Sequence, residues 1–537
     1  MKYTYTPLLT LLLAGAVLTG CKKSQEIFED PYAGGVPALG IIVDPQSVAS
    51  PASGNAGTVV TINAKGLVKY WDEKRLKFLF NGEEATIKNV TDSKIEVEVP
   101  ATASTGVTSF VVDGQLVFGP DFSVLGKVTK DPTFRAINGA NGYVTKIKEV
   151  ANGNLIFLGN FDNFDNKGNV RRINKIARTT KDGVFDRTFQ IGNGATGQLN
   201  DMAIIGSQFF PVGGFGGFAQ RGGISNITRI ANNGVIDTMK VITYEKRERF
   251  VPTFNGGTDG GIDNAYARDG KVIISGNFRY YVSRRYDQPT RDYKDSTILD
   301  SIEMRQLARL NPTDGTLDKT WRFDPNAVGY KGELGKGLPG ANGPIRTIMH
   351  DDGKILVFGR FTTFDNTNVG SIVRLNADGS IDQTFNPGGA GADQDILSVS
   401  YNATLNKYLI VGAFRNYNGA AAPFMAMLNY NGTLDQSFQV KNITGGLPEY
   451  AKILSDGLIV IGGSFKSYGG TIRNGFMILD QTGSLAAGYN NIGNVLGGVS
   501  DVLETTSAEG KRALLIVGGF FTFDNVPTNR IVRVTLD

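Results

Sequence analysis

The chain has 537 residues, of which 69 are glycine, one is cysteine and one is histidine. A single Cys excludes an internal disulfide framework and a thiolate-rich metal site, and a single His excludes any centre that needs two imidazoles. With 55 Lys and Arg against 51 Asp and Glu, charge is balanced and gives no electrostatic basis for binding nucleic acid.

Residues 1–20 read as a secretory signal: Lys2 is followed by an apolar run over residues 8–18, too short to span a bilayer. The tetrad Leu18-Thr19-Gly20-Cys21 resembles a bacterial lipobox, which implies acylation of the Cys21 thiol and cleavage just before it. Residues 21–35 are polar, with Glu26, Glu29 and Asp30, and read as a flexible tether. Lys22 stands where inner-membrane lipoproteins often carry Asp, and the short acidic tether resembles surface-export signals of Bacteroidetes-type lipoproteins. The resemblance implies an outer-membrane protein, held by lipid and facing the cell exterior.

Residues 36–126 alternate apolar and polar side chains over residues 58–62, 76–80, 94–99 and 108–112, with Asn81-Gly82 and Asp113-Gly114 as turns. Period-two patterning in short runs predicts a β-sandwich. The order of Gly54, Gly57, Gly66, Phe80-Asn81-Gly82, Val99-Pro100, Gly106 and Phe122 resembles an IPT/TIG domain, which implies an immunoglobulin-like spacer or docking module. Trp71 is expected to pack beneath a loop.

Residues 127–537 repeat one unit. A strand ending in Gly-x-Phe-x-x-aromatic occurs at Gly159, Gly213, Gly276, Gly359, Gly412, Gly463 and Gly518, spaced by 54, 63, 83, 53, 51 and 55 residues. Asn-Gly or Asp-Gly turns precede most copies and supply the positive φ of tight hairpins. A second element, Asp-x-Thr/Ser-aromatic, recurs at Asp131, Asp186, Asp318, Asp382 and Asp435, with Asp237-Thr-Met239 and Gly488-Tyr489 as degenerate copies. One copy precedes the first Gly-x-Phe and none follows the last, as a ring closed by the chain ends requires. Units of this length hold four short strands, and such sheets repeated radially are propeller blades. The expected fold is therefore all-β, a sandwich followed by a seven-bladed β-propeller. The repeats resemble the delta-60 repeat of bacterial surface and secreted propellers, which fixes no reaction.

Chemistry-bearing motifs are scarce. No nucleophile elbow, His-Glu-x-x-His, Walker loop or dinucleotide fingerprint is present. His350, at a strand end entering a turn, reads as a surface residue. The Asp- and Asn-rich stretches beginning at Asp162, Asp365 and Asp524 read as turns rather than calcium loops, since the closing Glu of a calcium loop is absent. No cofactor is expected. The third unit inserts a Tyr- and Arg-rich segment, and Tyr280, Tyr281, Arg284, Arg285, Tyr286 and Tyr293 are the predicted contact residues, because inserted loops on rigid scaffolds carry function. A Gly-rich insertion over residues 328–344 lines the same rim or a neighbouring one. The two-part layout resembles lipoproteins that accompany SusC/SusD-type TonB-dependent transporters, which implies a non-catalytic accessory capturing glycan or peptide. The alternatives are a glycan-cleaving enzyme working through paired carboxylates and a structural or adhesive module.

Overall fold

The computed structural model describes residues 37–170, 172–289 and 297–537, so Cys21, the tether and Tyr293 lie outside the described residues. In the N-terminal segment two sheets face each other across one core. Ser53–Gly54, Gln115–Val124, Gly106–Val112, Leu76–Phe80 and Glu83–Glu84 form one sheet in that spatial order; Val59–Asn63, Lys94–Glu98 and Thr86–Val90 form the other. Alternation places Phe78, Phe80, Phe110 and Val112 of the first sheet against Val60, Ile62, Ile95 and Val97 of the second. The longest strand, Gln115–Val124, escaped the period-two pattern because it carries Gly119-Pro120, a register shift and exposed Leu116 and Phe118. Trp71 does not pack beneath a loop. It ends up 37% exposed on a short helix, Val68–Asp72, while its neighbour Tyr70 is buried and donates its hydroxyl to Leu39 O at 2.7 Å.

Beyond residue 127, antiparallel sheets succeed one another as a β-propeller. Each is named here by its first strand: Tyr143–Glu149 (blade 1), Gln198–Ile205 (blade 2), Ile262–Arg268 (blade 3), Ile345–Met349 (blade 4), Ile396–Asn402 (blade 5), Pro448–Ile453 (blade 6) and Val499–Thr506 (blade 7). Each sheet packs on the next, and blade 1 packs on blade 7. The second strands are sandwiched between neighbours, so Ile355–Gly359 and Ile459–Gly463 are buried at every residue and read as unbroken apolar runs. The motif glycine ends this strand where backbones crowd: a Cβ on Gly159, Gly213 or Gly518 would lie 2.1, 2.0 or 2.1 Å from a carbonyl oxygen at the start of the first strand or of the residue just before it. There the first strand bulges, as between Val144 and Lys146 or Leu199 and Asp201.

Asp-x-Thr-aromatic is the turn that follows the outermost extended segment, which is joined to the third strand by a bridge such as Leu375↔Ile381. In blade 7 that strand comes from the other end of the chain, Val128–Lys130 pairing antiparallel with Ile531–Leu536. Asp131 then binds Arg533 Nε at 2.5 Å and caps Thr133, accepting from its amide at 2.8 Å and its hydroxyl at 2.6 Å. Arg533 lies over the Phe134 ring and reaches Lys181 O of blade 1 at 3.0 Å. Gly183 of that same turn, at φ +82°, lets the Phe134 ring approach to where a side chain would otherwise stand.

The same clamp corrects one reading of the sequence. Asp237 is not the start of a decayed copy: it pairs with Arg229, and the aromatic slot is filled by Phe254 against Gly315. A hairpin, Thr238–Ile242 and Glu248–Pro252, has been inserted inside an intact motif.

The sandwich is seated on blades 6 and 7. Thr105 N donates to Asn491 O at 3.0 Å, and Arg473 donates to Thr102 O and to Ser104 Oγ. Burial pulls the Arg473 guanidinium down to about 10, with Glu83 opposing.

Closure of the ring by Asp131 and Arg533 predicts that Asp131→Ala lowers unfolding stability by about 3–5 kcal/mol, since it strands a buried guanidinium. Adding Arg533→Met should recover part of the loss, measured by denaturant unfolding; a double variant no more stable than the single one contradicts the clamp.

Candidate functional site

First strands of all the blades line an axial channel of about 900 Å³. Their side chains join each blade to the next. At the bulge, Thr145 Oγ1 donates to Leu199 O at 2.7 Å, Asn200 Nδ2 to Ile262 O at 2.9 Å, Arg346 Nη1 to Ile396 O at 3.1 Å, and Ser500 Oγ to Val144 O. One level deeper, Asp201 accepts from Ala265 N at 3.2 Å and Asp501 from Ile147 N at 3.0 Å, while Lys148 and Lys146 pair with them at 2.7 and 3.4 Å. The Asp501 carboxylate holds the Lys146 ammonium above its ordinary range. These carboxylates are engaged in holding the ring.

His350 lies at one end of the channel and is buried, 5% exposed, contrary to the surface position read from the sequence. Its imidazole stacks on Tyr401 at 4.4 Å and Tyr408 at 5.4 Å, with Tyr430 at 6.1 Å, and neither ring nitrogen has a hydrogen-bond partner. The aromatic cluster was invisible in sequence because its tyrosines lie 51 to 80 residues beyond His350, on the next blade. Burial pulls the imidazole down to about 4; Asp352 and Asp351 oppose this, while Arg374 and Lys354 reinforce it.

A second feature is a wall of three inserted hairpins. The first is Thr238–Ile242 with Glu248–Pro252, the second Tyr280–Pro289 with Thr297–Glu303, and the third Phe323–Val328 with Leu334–Gly337. They pack side by side, the second touching both others, and Tyr280 meets Tyr330 edge-on at 5.4 Å. The wall exposes Ile242, Tyr244, Phe250, Ile298, Leu299, Val328, Tyr330 and Leu334, the last at 72%.

The predicted contact residues divide within this wall. Tyr281 is a correction: it is buried, and its hydroxyl donates to Gly315 O at 3.1 Å, as Tyr417 does to Gly432 O at 2.7 Å. It is the blade's structural aromatic, not a contact residue. Arg284 is half-buried, donating Nη1 to Ser225 Oγ at 3.1 Å, while the Asn255 side-chain amide accepts from its backbone N–H and donates to its carbonyl; burial pulls its guanidinium down. Arg285 pairs with Asp287 at 3.2 Å at the surface, and Tyr286 is half-buried near Arg284. Tyr280 is half-buried between Arg279 and Tyr330. The aliphatic residues of the outer hairpins were missed, since single exposed apolar side chains carry no periodic signal.

The turn residues are occupied by the protein itself. Asp165 accepts from Asn138 N at 3.2 Å, Asp365 from Arg322 at 2.7 Å and Asp524 from Gly493 N at 2.8 Å, all three at positive φ.

Acid is predicted to destabilise through His350. The unfolded imidazole takes a proton near pH 6.5 and the folded one near 4, so stability is complete above 6.5 and falls as pH drops through that window, by about 2–3 kcal/mol at its lower end. As the only histidine, its single imidazole NMR signal should titrate near pH 4, and His350→Phe should flatten the pH dependence of Tm between 6.5 and 4; a midpoint near 6.5 refutes the buried placement.

Comparison with known proteins gives fold without function. A family model described as a domain of unknown function, DUF5008, matches residues 17–120. Another, the DUF5122 β-propeller domain of unknown function, matches residues 350–385, 406–438 and 454–485, each from the turn after the first strand to the outer strand of a blade. No curated protein matches the chain. Among solved structures, a structural-genomics protein of unknown function from Bacteroides thetaiotaomicron is similar at 12% identity, covering 81% of this chain and 100% of that one with a TM-score of 0.29. The WD40 propeller domain of Doa1 is similar at 11% identity over 76% and 96% of the two chains, TM-score 0.37. A gluconolactonase from Xanthomonas campestris is similar at 10% identity over 76% and 98%, TM-score 0.31. The chain carries a β-propeller domain.

Proposed function

We propose that this chain is a non-catalytic, lipid-anchored outer-membrane protein, displayed at the cell surface as a binding accessory of a SusC/SusD-type uptake system that captures glycan or peptide. The observation that carries the reading is the hairpin wall. Three insertions in neighbouring units leave the ring intact, pack on one another, and expose large apolar side chains on adjacent elements. Clustered exposed apolar surface on a rigid scaffold marks a protein interface. Tethering through Cys21 of the lipobox-like tetrad would hold such a scaffold at the membrane by lipid insertion. The IPT/TIG-like sandwich, docked on blades 6 and 7, is the spacer, and the seven-bladed propeller carries the contact surface.

Purification of the anchored protein in mild detergent should bring down a transporter-sized outer-membrane partner. A triple variant, Phe250→Asp, Val328→Asp and Leu334→Asp, should lose that partner with Tm unchanged, and Cys21→Ser should release the chain from the membrane. Recovery of the native protein alone, or retention of the partner by the triple variant, refutes the reading.

A further inference from the structure

The channel breaks its own rule at three places. Position by position, the bulged residues of the first strands are Thr145, Asn200, Asp263, Arg346, Leu397, Glu449 and Ser500, with blade 4 contributing the equivalent residue of an unbulged strand. Four are hydrogen-bond donors, and each donates to a carbonyl of the next blade. Asp263, Leu397 and Glu449 cannot do so, since an ionised carboxylate only accepts and leucine does neither. Two carboxylates therefore stand where the fold calls for a donor.

Their present partners are few. Asp263 has only the amides of Asn200 and Asn277, both at 3.4 Å, and its nearest cation, Arg346, is already bonded to Asp395 and to Ile396 O, each at 3.1 Å. Burial pushes the Asp263 carboxyl up, with Arg346 opposing. Glu449 accepts one bond, from Ser464 Oγ at 2.7 Å. Asp263, half-buried and held only by these long contacts, is an acceptor that calls for donors from elsewhere, and Glu449, exposed on the lining, has lone pairs to spare.

The rest of the lining says what kind of donor fits. Lys146, Arg346 and Lys452 offset the carboxylates, so the channel as a whole does not select for a cation. Gln198, Asn200, Asn264 and Asn277 offer donor and acceptor atoms together, which matches hydroxyl groups that do both. Tyr143 borders the same space with its ring laid across Gly519 and partly exposed, an aromatic surface suited to the C–H face of a sugar ring. A second, independent observation is His350, buried in the same lining with both nitrogens unpartnered.

We propose that the channel is a binding site for a neutral, hydroxyl-rich ligand, a sugar unit of a glycan, with Asp263 and Glu449 accepting from its hydroxyls, Asn200 and Asn277 bonding alongside, and Tyr143 covering one face. This rests on the reading of the chain as a capture protein and deepens it, choosing glycan over peptide and separating the ligand site from the partner-binding wall.

The test uses the full chain carrying Cys21→Ser, without any transporter, so its outcome is independent of co-purification. Neutral trisaccharides of glucose, mannose, galactose, xylose and N-acetylglucosamine are titrated by calorimetry, with trialanine and trilysine as controls, and the single His350 imidazole signal is followed by NMR. At least one trisaccharide should bind and shift that signal. Asp263→Asn and Asn277→Ala should each weaken binding by about tenfold or more, the weight of one charge-assisted hydrogen bond, with Tm unchanged. Asn277 is exposed, so its variant keeps the test valid if Asp263→Asn unfolds. Absence of binding by every trisaccharide, binding indifferent to both variants, or tighter binding of trilysine or trialanine overturns the proposal.

Discussion

One interaction recurs around the ring and the rest of the propeller depends on it: a guanidinium from the third strand of a blade gripping an aspartate in the turn just after the outermost segment. Arg178 binds Asp186 at 2.7 Å, Arg309 binds Asp318 at 3.0 Å, Arg374 binds Asp382 at 2.8 Å and Arg533 binds Asp131 at 2.5 Å, with Arg229 and Asp237 paired likewise. Asp131, Asp186, Asp318 and Asp382 also cap the Thr two residues on, so burial, which alone would raise the carboxyl, is overcome; Asp318 is held down to about 2. The guanidinium has donors left over, and those of Arg178, Arg229, Arg374 and Arg533 reach carbonyls of the next blade's turn. One side chain thus fastens its own outer strand and its neighbour, which is why an arginine and not a lysine holds the position.

The exceptions follow the same electrostatics. Blade 5 has Met427 in the arginine slot, and Asp435 is instead met by Lys407 from the second strand. Blade 6 has Ile478 and Ala486, so both members of the pair are gone together. In none of these slots is a buried charge left alone. Replacing a buried ion pair by packed apolar groups is nearly neutral, whereas removing one partner is costly, and the chain shows the first outcome and avoids the second.

What was legible in the sequence follows from this division between shared and unshared interactions. The aspartate motif, the motif glycine and the turn glycines recur because the blades meet the same geometry, so repetition alone pointed to the units, their order and closure by the copy at Asp131, which the pairing of Val128–Lys130 with Ile531–Leu536 carries out. Asp237 and Phe254 were separated in the reading because a hairpin 15 residues long parts two residues that fold as neighbours. Tyr281 was misread for the converse reason: it sits in a Tyr- and Arg-rich insertion yet occupies the repeat's own aromatic slot, as Tyr417 does. The His350 cluster and the bulge ring were beyond reach, since both are assembled across blades by residues with no common spacing.

A closed ring of clamps also determines where such a chain can vary. The third and fourth strands are tied to the next blade, so a change of chemistry there has to be matched by its partner, as at Ile478 and Ala486, and the second strands are buried on both sides and stay apolar. Freedom remains in two places: in connections between strands, where hairpins add on without disturbing the pairing beneath, and at first-strand side chains facing the axis. In this chain the connections of blades 2 and 3 carry the hairpins, while the sandwich occupies blades 6 and 7, about half a turn away around the ring. The axial slots, held by donors at Thr145, Asn200, Arg346 and Ser500, change character only at Asp263, Leu397 and Glu449. Those four donors staple four of the seams, and Tyr266, Ser400 and Tyr450 tie the other three from neighbouring positions of the same strands, which releases Asp263, Leu397 and Glu449 from structural duty and leaves two carboxylates on the lining.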